Sequence, residues 1–219
     1  MRSLLSSIAT LLCGPALACD LALALAVDVS GSVDPREFRL QMDGLAAALR
    51  DPVISEALVR GQAQLMLVQW TGSVRQVVSI PWTETRDFET VESFAAKVAS
   101  EPRPWRNFST AIGEALAFTL GEFGPVSGCT RRLIDLSGDG VSNEGLAPAD
   151  VHVRLRAAGI VVNAIAIEES ETDLTSYFFE HVITGDGAFV VTASTFADYP
   201  DKIRKKLLRE VVMQTASAE

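Results

Sequence analysis

Histidine and cysteine are scarce. The 219-residue sequence holds 2 His and 3 Cys, too few for a zinc finger or zinc ribbon. Basic residues are outnumbered, 19 Lys+Arg against 28 Asp+Glu, for a formal charge of −9. That balance excludes nucleic acid as a partner, because affinity for a phosphate backbone comes from clustered Lys and Arg. No low-complexity tract, charge block, internal repeat or linker divides the chain. Its 48% hydrophobic content and 9 prolines exclude a disordered or fibrous protein, since those classes lack the apolar residues for a core. What remains is one acidic domain of ordinary size, in which oxygen is the plentiful metal-binding chemistry.

A histidine-based catalytic centre is also missing its parts. His152 and His181 fall in expected helices beside no nucleophile. Ser30 and Ser137 lack the G-x-S-x-G turn of an α/β-hydrolase.

Met1 to Ala18 has the layout of a secretory signal peptide. Arg2 is followed by the largely apolar Leu4 to Leu12, then by Pro15 and the small-x-small triplet Ala16-Leu17-Ala18. Cleavage after Ala18 leaves residues 19–219 as a single domain without a membrane span. It places the protein in a bacterial periplasm or outside the cell. An uncleaved anchor extending into Leu21–Val27 is opposed by Asp20, since a carboxylate inside a spanning helix is costly. A lipoprotein signal acylated at Cys19 would call for Leu where Ala16 stands.

Downstream, short apolar runs alternate with amphipathic stretches. Leu21–Val27 and Ile160–Ile167 are continuously apolar, as strands buried on both faces are. Leu133–Leu136 and Ala188–Thr192 read as shorter strands. Ala63–Trp70 and Val74–Ile80 read as an antiparallel hairpin around Thr71-Gly72-Ser73. Asp34-Pro35-Arg36-Glu37 opens a helix, with Asp34 as cap, Pro35 at the first helical position and Glu37 reaching back. Phe38, Met42, Leu45 and Leu49 give that helix an apolar face. Further helices are expected over Phe88–Val98, Thr110–Leu120, Pro148–Ala158 and Leu174–Ile183. A C-terminal helix carries Phe196, Tyr199, Ile203, Leu207 and Val211 on one face. The expected architecture is a doubly wound, Rossmann-like α/β fold. It has a mostly parallel six-stranded sheet, one antiparallel edge strand, and helices on both faces.

The chemistry gathers at strand ends. Asp28, Ser30 and Ser32 form D-x-S-x-S where the first strand meets its helix. Asp139 ends the strand that closes in Leu136-Ser137-Gly138-Asp139-Gly140, and Thr110 sits in an intervening loop. In open α/β sheets, ligands bind at the carboxyl ends of the strands. Two carboxylates and three hydroxyls make a hard oxygen set. It suits Mg²⁺ or Mn²⁺, and Ca²⁺ less well because that ion takes more oxygens.

These residues resemble the von Willebrand factor A (vWA) family. Its metal-ion-dependent adhesion site (MIDAS) combines D-x-S-x-S, a threonine and a later aspartate in this order. The resemblance covers nearly all of the chain after Ala18. It is strongest with a secreted bacterial vWA-like family of unknown function. It rests there on Ile134-Asp135-Leu136-Ser137-Gly138-Asp139-Gly140, Gly187-Ala188-Phe189-Val190-Val191 and the basic Arg204-Lys205-Lys206-Leu207. Ser109 departs from the Gly that many members carry before the threonine. The resemblance implies a metal held by Asp28, Ser30, Ser32, Thr110 and Asp139, with its sixth position taken by an Asp or Glu of a protein partner. It further implies that metal ligation can shift the C-terminal helix. A metal-dependent hydrolase and a purely structural ion are the alternative functions.

Asn143, Glu144 and Glu168 follow the same strand ends and are the expected partner-binding rim. Glu169 borders the same face. Asp135 lies inside a strand, where it reads as part of a local hydrogen-bond network rather than as a base. The basic run Lys202–Arg209 reads as a solvated helix face, with a docking patch as the other possibility. Trp70, Trp82 and Trp105 read as packing residues. Cleavage after Ala18 leaves Cys19, nine residues before Asp28, and Cys129, ten before Asp139. If the two strands are parallel neighbours about 4.8 Å apart, both cysteines reach the opposite edge within disulfide range. Free thiols, or acylation of Cys19, are the alternatives.

Overall fold

The computed structural model describes residues 19–213; the expected signal peptide, Met1 to Ala18, lies outside them. Five strands run parallel: β1 (Leu21–Asp28), β2 (Gln64–Trp70), β4 (Arg131–Gly138), β5 (Ile160–Ile167) and β6 (Val190–Ala193). β3 (Gln76–Glu84) pairs antiparallel with β2 at one edge, giving the order β3-β2-β1-β4-β5-β6. The expected doubly wound fold is present, with crossovers built by α1 (Pro35–Leu49), α2 (Pro52–Arg60), α3 (Phe88–Ser100), α4 (Ile112–Gly121), α5 (His152–Ala157), α6 (Leu174–Tyr177) and α7 (Tyr199–Leu208).

β1 shows why the sheet is covered twice. Its Leu21, Leu23, Leu25 and Val27 pack on one face with Phe38, Met42 and Leu45 of α1, Ile54 and Leu58 of α2, Phe94 of α3 and Ile203 and Leu207 of α7. Its Ala22, Ala24 and Ala26 pack on the other with Ile112 and Leu116 of α4, Leu155 of α5 and Leu174 of α6. Successive side chains point to opposite faces, so a run without polar residues is what a doubly buried strand requires.

Helix starts follow local chemistry. Asp34 accepts from the Arg36 and Glu37 amides at 2.7 and 2.8 Å, while Glu37 accepts from the Asp34 amide at 2.6 Å. That reciprocal cap is worth about 1 kcal/mol. α2 was not expected, although Asp51-Pro52 repeats the same start: Asp51 accepts from Val53 and Ile54, and Pro52 is the first helical residue. β3 begins two residues later than expected and runs on through Pro81 to Glu84. An edge strand tolerates the proline, which has no amide to donate. Leu174–Ile183 is a single α-helical turn followed by a wider π-helical turn, Phe178–Val182. The C-terminal helix likewise widens over Arg209–Met213.

One surface expectation is overturned. Lys206 in the basic run is not solvated; it is fully buried. It pairs with Asp135 at 2.7 Å and Glu210 at 2.6 Å. Asp135 faces α7 from β4, and a buried carboxylate there needs a countercharge.

Cys19 and Cys129 form a disulfide, their Cα atoms 4.6 Å apart. The parallel register Leu21↔Arg131 brings the two cysteines together where β1 and β4 begin. A bridge across 110 residues restricts the unfolded chain and stabilises by about 2–5 kcal/mol. Among the described residues, no helix is long and apolar enough to cross a membrane.

Candidate metal centre

β1 and β4 are parallel neighbours in the register Val27↔Ser137. Both therefore deliver their last residues to the same edge, and Asp28 and Asp139 arrive there together. The chain after β1 turns tightly, Val33 N donating to Ser30 O at 3.2 Å. Gly31 N donates to Phe108 O at 2.7 Å, which binds this turn to the loop before Thr110. A Cβ on Gly31 would stand 3.2 Å from both Asn107 Cα and Phe108 O, so glycine allows the two loops to touch.

The side chains form a chain of contacts. Asp28 Oδ1 accepts from the Ser30 amide at 2.7 Å. The Ser30 and Ser32 hydroxyl oxygens lie 3.1 Å apart. The Ser32 hydroxyl donates to Asp139 Oδ1 at 2.6 Å. Thr110 lines one cleft with Gly31, Ser32, Asp139 and Gly140. The structure thus brings all five expected residues to one edge of the sheet.

The pair of carboxylates is costly as it stands. Asp28 is fully buried and Asp139 nearly so. Burial, then the Asp139 charge, pushes the Asp28 carboxyl up to about 8, against bonds from Ser30 and the charge of Arg103. Asp139 is raised too, by burial first, against the Ser32 hydrogen bond and with the charges of Glu37 and Glu171 adding. Asp28 Oδ2 and Asp139 Oδ2 are buried and have no hydrogen-bond partner. Buried polar atoms are rarely left so. A divalent cation between the two would neutralise both carboxylates and engage both orphaned oxygens, so the residues present fit one. Among the described residues, no three His, Cys, Asp or Glu side chains gather as a metal group. The fit here rests on two carboxylates, with hydroxyls supplying the other oxygens.

The expected rim residues are bound up in the fold. Asn143 and Thr110 pair both ways, Thr110 N donating to Asn143 Oδ1 and Asn143 N to Thr110 O, each at 2.9 Å. Glu144 accepts from the Ser73 hydroxyl at 2.6 Å and from the Ser109 hydroxyl. These bonds, Ser109's first, hold its carboxyl below the usual range. Ser109 thereby gains a contact that glycine lacks. Glu168 accepts from Thr175 N at 2.8 Å and does not line the cleft. Glu169 accepts from Phe196 N at 2.7 Å.

The sequence reading missed Glu171, Phe108 and Arg103. Glu171 lines the cleft and accepts from Val141 N at 3.0 Å. Phe108 lines it from the other side, its ring stacked 3.6 Å beneath the Arg75 guanidinium. Arg103 donates to Val29 O and Ser30 O at 2.9 and 2.6 Å. None lies within a motif, and only the meeting of distant loops gives them a place.

A family model described as "Protein of unknown function (DUF1194)" matches residues 18–215. No curated protein matches the sequence. Among solved structures, proximal thread matrix protein 1 from the mussel byssus is similar, with TM-score 0.68 and 19% identity over 87% of this chain and 48% of that one. A von Willebrand factor type A protein from Catenulispora acidiphila is similar at TM-score 0.63 and 16% identity, over 89% and 43%. A further structure of the mussel protein, with a zinc-occupied MIDAS motif, has TM-score 0.62 and 19% identity over 87% and 48%. The chain therefore spans about half the length of these solved chains, and at such identities the likeness is one of fold.

Proposed function

The chain belongs to the DUF1194 family of proteins of unknown function and is a vWA-like domain. From that premise we propose that it is a metal-dependent binding module for a protein partner presenting Asp or Glu. Asp28 and Asp139 hold Mg²⁺, or Mn²⁺ in its place, together with Ser30, Ser32 and Thr110. Two carboxylates balance the charge of a divalent ion and the hydroxyls add none. When bound, the ion keeps the Lewis acidity to attract a further carboxylate. The zinc-occupied motif of the mussel protein supports a divalent ion at this place in the fold. The hydroxyl-rich set here favours a harder ion than zinc.

The protein's own residues prepare the place. Ser32 orients Asp139, the Ser30 amide orients Asp28, and Asn143 fixes the backbone of Thr110. Residues 1–18 act as a leader and 19–219 form the exported domain. The disulfide supports an oxidising compartment, the periplasm or the cell exterior of a bacterium.

The observation that carries this reading is the pair of buried, orphaned oxygens on Asp28 and Asp139. Calorimetric titration of the EDTA-stripped protein with Mg²⁺ tests it. The wild type is expected to bind saturably, and Asp28→Ala to bind nothing while keeping its far-UV circular dichroism. Equal Mg²⁺ affinity in the two would sink the assignment. Capture from periplasmic extract, in Mg²⁺ against EDTA with Asp139→Ala as control, then tests the partner. Strong Mg²⁺ binding with no Mg²⁺-dependent partner would leave the ion a structural role.

A further inference from the structure

Beneath α7, three charged side chains share a space closed to solvent. Lys206 and Glu210 are fully buried, and Asp135 of β4 is 3% exposed. Lys206 Nζ lies 2.7 Å from Asp135 Oδ1 and 2.6 Å from Glu210 Oε1. Glu210 Oε1 also accepts from Asn163 Nδ2 at 2.9 Å. Aromatic rings border the group. The centroid of Phe189 is 5.8 Å from Nζ. Tyr199 is buried, and the charges of Asp135 and Glu210 reach its phenol.

As ions alone the set is unbalanced. Within the buried set two carboxylates face one ammonium; the half-buried Arg131 guanidinium acts on Glu210 by charge and donates to its backbone carbonyl at 2.8 Å, yet Asp135 Oδ2 and Glu210 Oε2 are buried without a hydrogen-bond partner. Surplus buried charge is removed by taking up a proton. Burial, with the Asp135 charge next, pushes the Glu210 carboxyl up to about 8. A protonated carboxyl and a second carboxyl, each in contact with one amine, supply the general acid–base, the electrophile and the nucleophile of an amide condensation. Excluding water favours a reaction that releases water.

We propose that Lys206 and Asp135 become joined by a side-chain amide, with Glu210 as the proton carrier. Glu210 protonates Asp135 and then takes a proton from the Lys206 ammonium. The freed amine attacks Cγ of Asp135. The Nζ–Cγ bond forms and the Cγ–O bond breaks. The second amine proton passes through Glu210 to the departing hydroxyl, which leaves as water. Glu210 ends as it began, and one ammonium and one carboxylate have become one amide and one water. No oxidant, reductant or activating group is consumed. The bond ties α7 to β4 and places an amide N–H beside Glu210. It shares no residue with the cluster around Asp28 and Asp139 and stands or falls apart from metal binding there.

Mass spectrometry of the purified, disulfide-reduced wild-type protein is the test. The intact chain is expected one water lighter than its sequence. Trypsin is expected to release a branched species joining Leu133–Arg154 to Lys206–Arg209, because an acylated lysine is not cleaved. Glu210→Gln keeps the side-chain volume but removes the proton carrier, and is expected to return the chain to its full sequence mass. Wild-type protein at full mass, cleaved by trypsin after Lys206, overturns the proposal whether or not the variant folds. A water lost from wild type and Glu210→Gln alike overturns the role given to Glu210.

Discussion

β4 delivers an aspartate to each of two buried charge sites, Asp135 under α7 and Asp139 at the strand's carboxyl end. Both sites bury two carboxylates, and in both each carboxylate keeps one oxygen that no donor reaches. They differ in their cations. The Asp135–Glu210 pair has Lys206 in contact with both members. The Asp28–Asp139 pair has Arg103 close enough to act by charge, yet the hydrogen bonds of that guanidinium go to the Val29 and Ser30 carbonyls. A countercharge supplied from within belongs to the fold, and the proposed amide would remove it together with the charge of Asp135. A countercharge missing beside an open cleft leaves room for an ion from outside.

The largest effect is expected where the internal cation is removed. Lys206→Met leaves Asp135 and Glu210 buried together with no cation in contact, only Asn163 still donating to Glu210. Breaking a buried ion pair from one side typically costs about 3–5 kcal/mol, and a loss of that size is expected in urea unfolding. A loss under about 1 kcal/mol, in the range of an ordinary surface substitution, would mean that the two sites do not differ in kind.

A pH series sharpens the contrast. Asp28 and Glu210 are each pushed to about 8 in the folded chain, against about 4 for an ordinary carboxylate. The folded state keeps protons that the unfolded state has lost. Their contribution is therefore full below about pH 4 and is lost as pH rises through about 8. In EDTA, wild type is expected to lose more melting temperature over that window than Asp28→Asn, which has no proton to lose at residue 28. Mg²⁺ is expected to restore the wild type at the alkaline end and to leave Asp28→Asn unmoved, because the Glu210 share is beyond its reach. Coincident wild-type profiles with and without Mg²⁺ would break the distinction.

The two sites also differ in how far the sequence announces them. Asp28, Ser30 and Ser32 lie in one motif at a strand end, so their gathering follows from a period-2 strand running into a turn. Asp139 follows from the same logic on the neighbouring strand, and the disulfide from the alignment of both strands. The charge site under α7 has no motif. Lys206 sits among basic residues whose neighbours Lys205 and Arg209 are exposed or partly so, and only the packing of α7 on β4 turns it inward. Asp135 inside a strand was the one visible clue to it. α2 was missed for a related reason: its nine residues are too few for an apolar period to stand out, and only Asp51-Pro52 marks its start. Asn143 and Glu144 lie in the right loop, but their bonding depends on loops 33 and 71 residues away in sequence.

That bonding gives the smallest and most discriminating test of the open site. Glu144 joins the loop after β2, through Ser73, to the residue beside Thr110, through Ser109. It contacts neither Asp28 nor Asp139 through a hydrogen bond, so any effect on an ion passes through the position of Thr110. Outer partners of metal ligands typically contribute about 10–100-fold in affinity. Because Asn143 still holds the Thr110 backbone, Glu144→Ala is expected at the low end, about tenfold weaker Mg²⁺ binding by calorimetry. Its far-UV circular dichroism and cooperative unfolding should be kept, because the carboxylate lies toward solvent and its partners can turn to water. Glu144→Gln keeps an acceptor for one hydroxyl and should recover most of the affinity. Unchanged affinity in Glu144→Ala would mean that Thr110 needs no support from this clamp, and would narrow the ion's essential hold to the two aspartates and the serines beside them.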